Sequence, residues 1–248
     1  MLNFRSNAAR GGRSIGGRCF KDVIAGSPYN QLGGRAFVYF GSATGLSTTP
    51  SWEKTEPGGG FFGWSVAGAG DVNGDGFDDV LVGDSRFTNG QSFEGRATLY
   101  LGGPGALSTP SAWDYEPNLA NAHPGGGVAG GGDLNLDGYD DVFVGAPQNC
   151  AGYSAMVFLG GPGGLPSQPA WGVPSPGGGQ LGSSVAGAGD VNGDGRPDVI
   201  IGEYTANKAY VYISNSQNVL SPWWTGTGAA GSEFGHAVAS AGDVDGDG

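Results

Sequence analysis

The sequence predicts an all-β protein, a β-propeller of about four blades, and three observations carry that prediction. Two phrases recur in step along the chain. The apolar runs inside each repeat have the length and composition of strands, and no segment sustains a 3.6-residue apolar period. The first phrase reads SVAGAGDVNGDGFDDVLVGD (65–84), GVAGGGDLNLDGYDDVFVGA (127–146), SVAGAGDVNGDGRPDVIIGE (184–203) and AVASAGDVDGDG (237–248). The second covers 36–52, 98–113, 156–171 and 210–224, each copy ending at Trp52, Trp113, Trp171 or Trp224. Both share a period of roughly 57 residues.

Four strands per repeat are justified one by one. The small-residue stretch Ser65 to Ala69 suits a strand that crowds a narrow axis, which is where the innermost strand of a propeller blade runs. Val80-Leu81-Val82, Val142-Phe143-Val144 and Val199-Ile200-Ile201 are short, mostly β-branched runs ending at Gly, as expected of a strand buried on both faces. Phe37-Val38-Tyr39-Phe40 and its counterparts form a third strand, and the segments around the four Trp residues a fourth. Gly/Pro/Ser clusters separate them. A β-sandwich would not require so regular a period. The divisions fall at 1–19, an atypical N-terminal segment, then about 20–79, 80–141, 142–198 and 199–248.

Composition alone argues differently, since 53 Gly, 15 Pro and a formal charge of −12 in 248 residues lean towards disorder. The repeats overrule it, and 6 Trp, 9 Tyr and 12 Phe supply a core. Gly holds no three-residue period, which excludes collagen, and no apolar run approaches the length of a membrane span. The acidic balance repels nucleic acid and anionic lipid. Five of the 11 basic residues (Arg5, Arg10, Arg13, Arg18, Lys21) fall in the first 21 positions, with no apolar stretch that reads as a secretory signal. Cys19 and Cys150 define no disulfide framework, and a pair or two free thiols are both open.

The acidic stretch from Asp71 to Asp79 is D-x-N-x-D-G-x-x-D. Ca²⁺ takes six to eight hard oxygen ligands, and a tight turn offers them from alternate side chains and one main-chain carbonyl. Asp71, Asn73, Asp75 and Asp79 are the candidate side-chain ligands, with the carbonyl of Phe77 as the fifth. The second copy offers Asp133, Asn135, Asp137, the Tyr139 carbonyl and Asp141; the third, Asp190, Asn192, Asp194, the Arg196 carbonyl and Asp198. Asp243, Asp245 and Asp247 open a fourth loop that reaches Gly248 before its ninth position. An EF-hand is excluded because position 12 is Val82, Val144 or Ile201 in place of a bidentate Glu, and a strand follows instead of a helix. Asp/Asn/Gly turns without an ion are the plain alternative. Against it, carboxylates about 4 Å apart repel by roughly 4 kcal/mol per pair at an effective dielectric near 20. Asp78 and Asp140, at position 8, are expected to point outward as solvated charges.

Phe62-Gly63, the acidic loop and then Val144-Gly145-Ala146-Pro147 together resemble the FG-GAP repeat of integrin α-subunit propellers and their bacterial relatives. Phe234-Gly235 repeats the first element, Leu181-Gly182 is a variant of it, and Gly26-Ser27-Pro28 is near Gly-Ala-Pro, whereas Gly83-Asp84-Ser85 and Gly202-Glu203-Tyr204 depart from it. The resemblance covers about 20–248. It implies a Ca²⁺-stabilised propeller, usually of seven blades, that serves adhesion or extracellular binding more often than catalysis. The chain then reads as a fragment of a larger ring of bacterial type, lacking any Asn-x-Ser/Thr acceptor. A closed four-bladed ring in which Asp22 completes the last loop is the alternative.

The function expected is that of a calcium-binding, non-enzymatic scaffold for adhesion or protein interaction at the cell surface or outside the cell. Its ligands would be proteins or glycans. The alternative is a lectin-like module with Trp52, Trp113, Trp171 and Trp224 as sugar platforms, set against their use as core filler. Catalysis is not expected: His123 and His236 lie in different repeats, and no Gly-x-Ser-x-Gly, phosphate loop or Cys/His zinc cluster is present.

Overall fold

A computed structural model describes residues 15, 20–29, 33–58, 60–174, 179–215 and 220–244. These form four antiparallel sheets of consecutive strands. The first holds β1 (Val23–Ser27), β2 (Gly34–Tyr39) and β3 (Trp52–Glu56); the second β4 (Phe62–Gly70), β5 (Asp79–Asp84), β6 (Arg96–Tyr100) and β7 (Trp113–Tyr115). The third holds β8 (Gly127–Gly132), β9 (Asp141–Cys150), β10 (Tyr153–Phe158) and β11 (Trp171–Pro174); the fourth β12 (Ser184–Gly189), β13 (Asp198–Glu203), β14 (Lys208–Ile213) and β15 (Ser221–Thr227). The chain is thus all-β, a partial propeller of about four blades. The helix among the described residues is one 3-10 turn at Tyr204–Ala206, and none is long and apolar enough to cross a membrane. Each four-stranded sheet starts at its Ala/Gly strand, one strand ahead of the sequence divisions at 80, 142 and 199, because the hydrogen-bonded ladder, not the period, chooses the cut.

The small-residue strands run innermost. β4, β8 and β12 face one another from sheet to sheet, and backbone meets backbone there. A Cβ on Gly130 would stand 2.5 Å from the Gly68 carbonyl oxygen, and one on Gly187 2.9 Å from that of Gly130. Only glycine lets strands from separate sheets approach this closely.

Apolar faces of consecutive sheets bury one another. Ile24, Val38 and Trp52 meet Val80, Val82 and Tyr100; Leu81, Leu99 and Trp113 meet Val142, Val144 and Phe158; Phe143, Val157 and Trp171 meet Val199, Ile201 and Tyr212. The Trp residues occupy one register position, opposite Val38, Leu99, Val157 and Val211. Trp52 lies edge-on to Tyr100 and Trp113 to Phe158, both at 4.9 Å between centroids. Trp52 is buried, and Trp113 and Trp171, half-buried, pack against the cores of their sheets. Trp224, on β15, is 47 % exposed.

Two recurring glycines, one two residues before the first phrase and one near the end of its second strand, form the seam between sheets. Gly63, Gly125, Gly182 and Gly235 hold φ of 82°, 79°, 89° and 86°. Each lies so near a carbonyl of the preceding sheet (Arg35, Arg96, Ser154, Lys208) that any Cβ would overlap it. Gly26, Gly83, Gly145 and Gly202 press in the same way on the carbonyls of those four glycines. The repeat keeps both glycines because two backbones need one space.

Candidate functional site

Strands alternate in direction, so the turns collect at two ends. One end carries the acidic loops, each joining the inner strand to the second strand through a bulge at 68–70, 130–132 or 187–189. Within the first loop the Asp71 carboxylate accepts the N–H of Asp75 and of Gly76, both at 3.0 Å. Asn73 Oδ1 accepts from Asp75, and Asp75 Oδ1 from Phe77, again at 3.0 Å. The same four bonds recur on Asp133, Asn135 and Asp137 and on Asp190, Asn192 and Asp194. Side-chain oxygens at positions 1, 3 and 5 are thereby turned into the loop in all three copies.

Position 9 does more than the sequence reading assigned to it. Asp79, Asp141 and Asp198 are fully buried. One oxygen of each accepts the N–H of loop position 2 (Val72, Leu134, Val191) at 2.8–3.0 Å. The other accepts the N–H that follows the third strand (Gly102, Gly160, Ser214) at 2.8–2.9 Å. Asp22 does likewise for Gly41 in the first sheet. Burial pushes Asp79 up to about 8 and Asp141 up to about 7, partly offset by those N–H donors and reinforced by the neighbouring loop carboxylates; Asp198 is raised for the same reasons.

Position 8 is corrected at Asp140. Asp140 is no solvated charge: its Oδ2 accepts the Asp71 N–H at 2.8 Å, and its own N–H donates to the Asp71 carbonyl at 3.0 Å. Asp71 is accordingly 3 % exposed. Of the fourth loop, Asp243 is described and exposed, while Asp245 and Asp247 lie outside the described residues.

Among the described residues no three His, Cys, Asp or Glu side chains converge as a finished metal site. The donor set nevertheless suits a hard divalent cation. Each loop brings three carboxylates and one amide oxygen into nine residues, and the side chains that shift Asp79 are the Asp75 and Asp71 carboxylates, with no basic group among them. Every oxygen that accepts one N–H keeps a second lone pair.

The opposite end is not repetitive. There Phe61 stacks on Trp64 (5.6 Å, 17°) and meets Tyr29 edge-on at 4.9 Å. The Arg86 guanidinium lies 4.6 Å over the Phe61 ring and 5.7 Å from Phe93, which stacks on His123. Asp84, buried beneath, fixes this loop by accepting the Phe61 N–H at 2.6 Å. Tyr29 is 72 % and Trp64 44 % exposed, so the cluster faces solvent at the mouth of a concave trough of about 1670 Å³ along the inner strands. The sequence reading missed it. A signal existed: around the seam glycines the repeats place Trp64, Gly126, Ser183 and His236 at one position, and Phe61, His123, Gln180 and Glu233 at another. His123 is no free solvated ring, since its Nδ1 is 2.7 Å from the Ser85 carbonyl and burial lowers its pKa. Cys150 is a buried free thiol; Cys19 lies outside the described residues.

Two models of one repeat match the chain: "FG-GAP-like repeat" over 133–201 and 190–248, and "FG-GAP repeat" over 62–100. Integrin alpha-IIb of Mus musculus is 40 % identical over an alignment 163 residues long that covers 61 % of this chain and 16 % of that protein. Integrin alpha-5 of Xenopus laevis is 34 % identical over an alignment 194 residues long that covers 65 % of this chain and 17 % of that protein. The chain thus spans about a sixth of the length of these curated relatives. Among solved structures, a rhamnogalacturonan lyase of Bacillus licheniformis aligns with 82 % of this chain and 44 % of its own at 14 % identity and a TM-score of 0.39, too distant to bear on function.

Proposed function

The chain belongs to the FG-GAP repeat proteins, and from that premise we propose that it is a calcium-stabilised, non-enzymatic scaffold for adhesion or protein interaction outside the cell. The observation that carries the calcium reading is the identical inward turn of side-chain oxygens in three loops. Asp71, Asn73, Asp75, the Phe77 carbonyl and Asp79 would hold one ion, with Asp133 to Asp141 and Asp190 to Asp198 holding two more. Calcium supplies charge neutralisation at each loop. The chain's own part is to aim oxygens, through the N–H groups of positions 5 to 7, and to tie the loop to its sheet through position 9. Calorimetric titration with calcium, paired with melting curves in calcium and in chelator, tests this. Binding at three loops and a higher melting temperature in calcium are expected, each site adding about 2.7 kcal/mol at 100 times its Kd. No heat together with no shift in melting temperature refutes it.

The binding face we assign is the non-repetitive rim, because exposed aromatic rings beside a cation are the composition of interface hot spots. A protein ligand is the first reading, supported by the integrin relatives. A glycan is the second, and what favours it is the open face of Trp64 beside Tyr29, not the four register Trp residues. Immobilised matrix proteins and a glycan array, probed with the chain and with Trp64→Ala, separate the two. Loss of binding in the variant on one surface only identifies the ligand class, and unchanged binding on both removes the rim from the account.

A further inference from the structure

The acidic loops do not stand apart. Asp71, position 1 of the first complete loop, exchanges two hydrogen bonds with Asp140, position 8 of the loop in the next sheet. The carbonyl of Val72, position 2, accepts the Gly161 N–H at 2.9 Å, and the adjacent Gly160 N–H is held by Asp141, position 9 of that next loop. Gly74, position 4, lies under the Tyr139 ring, so that a Cβ there would stand 2.7 Å from Tyr139 Cε1. Positions 1 and 4 of loop 71–79 therefore rest on Asp140 and Tyr139 of loop 133–141, and position 2 rests on Gly161, next to the glycine that Asp141 holds. The next pair of loops is joined differently. Pro197 stands at position 8, with neither N–H nor carboxylate, and the side-chain link described there is Arg196 Nη1 to the Leu134 carbonyl at 3.0 Å.

We infer that calcium binding at loop 133–141 raises the calcium affinity of loop 71–79, and that Asp140 is the positioning residue that transmits the effect. The inference rests on the calcium reading above. Tyr139 supplies the ligand carbonyl at position 7, and Asp140 lies between it and the ligand carboxylate at position 9, so an ion in their own loop would fix the backbone of both. Asp140 then fixes both the N–H and the carbonyl of Asp71. A second ion meets a loop whose ordering entropy has already been lost, which is positive coupling without a change of fold. By linkage the effect is reciprocal, and ordinary couplings span about 5- to 150-fold in affinity. Loop 190–198, which has proline in place of the position-8 carboxylate, couples more weakly.

Hydrogen exchange of the full chain, followed peptide by peptide as calcium is titrated, reads each loop separately. In the wild-type chain, protection of 71–79 should appear at lower calcium than in Asp133→Ala, by about fivefold or more. Asp140→Ala should show the same shift at 71–79, and adding Asp133→Ala to it should produce little further change. Asp140→Asn, which keeps an acceptor oxygen, should restore most of the coupling. Asp190→Ala should move the midpoint at 71–79 far less. An unchanged midpoint at 71–79 in Asp133→Ala, with all other loops responding to calcium, overturns the coupling and leaves the calcium reading intact. Absence of calcium protection in any loop overturns both.

Discussion

Gly182→Ala tests whether the seam glycines are kept for space or only for their backbone angle. Gly182 sits at φ 89° against the Ser154 carbonyl, in contact range of which no Cβ fits. Gly164 has nearly the same angle, 78°, yet has nothing within 4 Å of its would-be Cβ. The left-handed conformation costs an L-residue about 1–2 kcal/mol, and Gly164→Ala should lose no more than that. Gly182→Ala must in addition push two sheets apart at a close-packed junction, a displacement of the kind that costs about 1–3 kcal/mol. Its total is then about 2–5 kcal/mol. For a chain of this size, about 2–4 °C per kcal/mol gives a fall of roughly 2–8 °C for Gly164→Ala and 4–20 °C for Gly182→Ala. Melting followed by circular dichroism, run side by side in calcium, decides it. Equal falls for the two variants would show that φ alone explains the glycine, and the seam argument would fail.

Trp113→Ala should lower stability by about 3–5 kcal/mol, because it empties the space against Phe158 and removes the Nε1 bond to the Pro166 carbonyl; Trp224→Ala should stay within about 0.5 kcal/mol, and denaturant titration of both checks the contrast. Asp84 predicts a pH dependence. Burial, outweighing its Phe61 N–H bond and Arg96, raises its folded pKa above the ordinary carboxylate value of 3.8, so the folded state binds this proton more tightly than the unfolded one. Its contribution is fully present below 3.8 and is lost as pH rises through the folded value. The melting-temperature gap between wild type and Asp84→Asn should therefore move in favour of the variant across that window, and a gap constant with pH refutes it. Arg86→Ala should weaken ligand binding at the rim while changing stability by under about 1 kcal/mol, since its partners Phe61 and Phe93 are exposed or half-buried rings; a large loss of stability with binding retained would contradict the assignment.

The parts of the fold that were legible are those set by local pattern. Val142-Phe143-Val144 reads as a doubly buried strand because every side chain in it is apolar, and Ser184 to Gly189 reads as an inner strand because no side chain in it is large. Trp52, Trp113, Trp171 and Trp224 recur at one place in a Gly-rich period and read alike, as core filler or as sugar platforms, so the pattern does not reveal that Trp224 is exposed where the other three pack on a core. What stayed hidden depends on residues far apart in sequence. Asp140 looks like a spare charge until the neighbouring sheet sets Asp71 against it, 69 residues away. Asp79 looks like a ligand alone until the turn after β6 brings Gly102 N–H to its second oxygen. The rim cluster escaped because Tyr29, Phe61 and Arg86 belong to three different connections, none with a motif of its own.

The difference between the two ends follows from what each turn must satisfy. At the acidic end the chain reverses within eight residues, and positions 1, 3, 5 and 9 each answer for specific N–H groups. Replacing position 1, 5 or 9 leaves a donor without its acceptor, at about 1–3 kcal/mol where the donor is buried, whereas the Asp75 N–H that position 3 accepts is shared with Asp71. That end can vary little from sheet to sheet. At the rim the constraint is the glycine seam, which fixes the backbone and asks nothing of the side chains on either side of it. Trp64, Gly126, Ser183 and His236 can differ completely while Gly63, Gly125, Gly182 and Gly235 hold the same φ. A propeller built this way is held at both ends, by hydrogen-bonded acidic loops at one and by backbone contact at the glycine seam at the other, and it is at the seam that side chains vary from sheet to sheet.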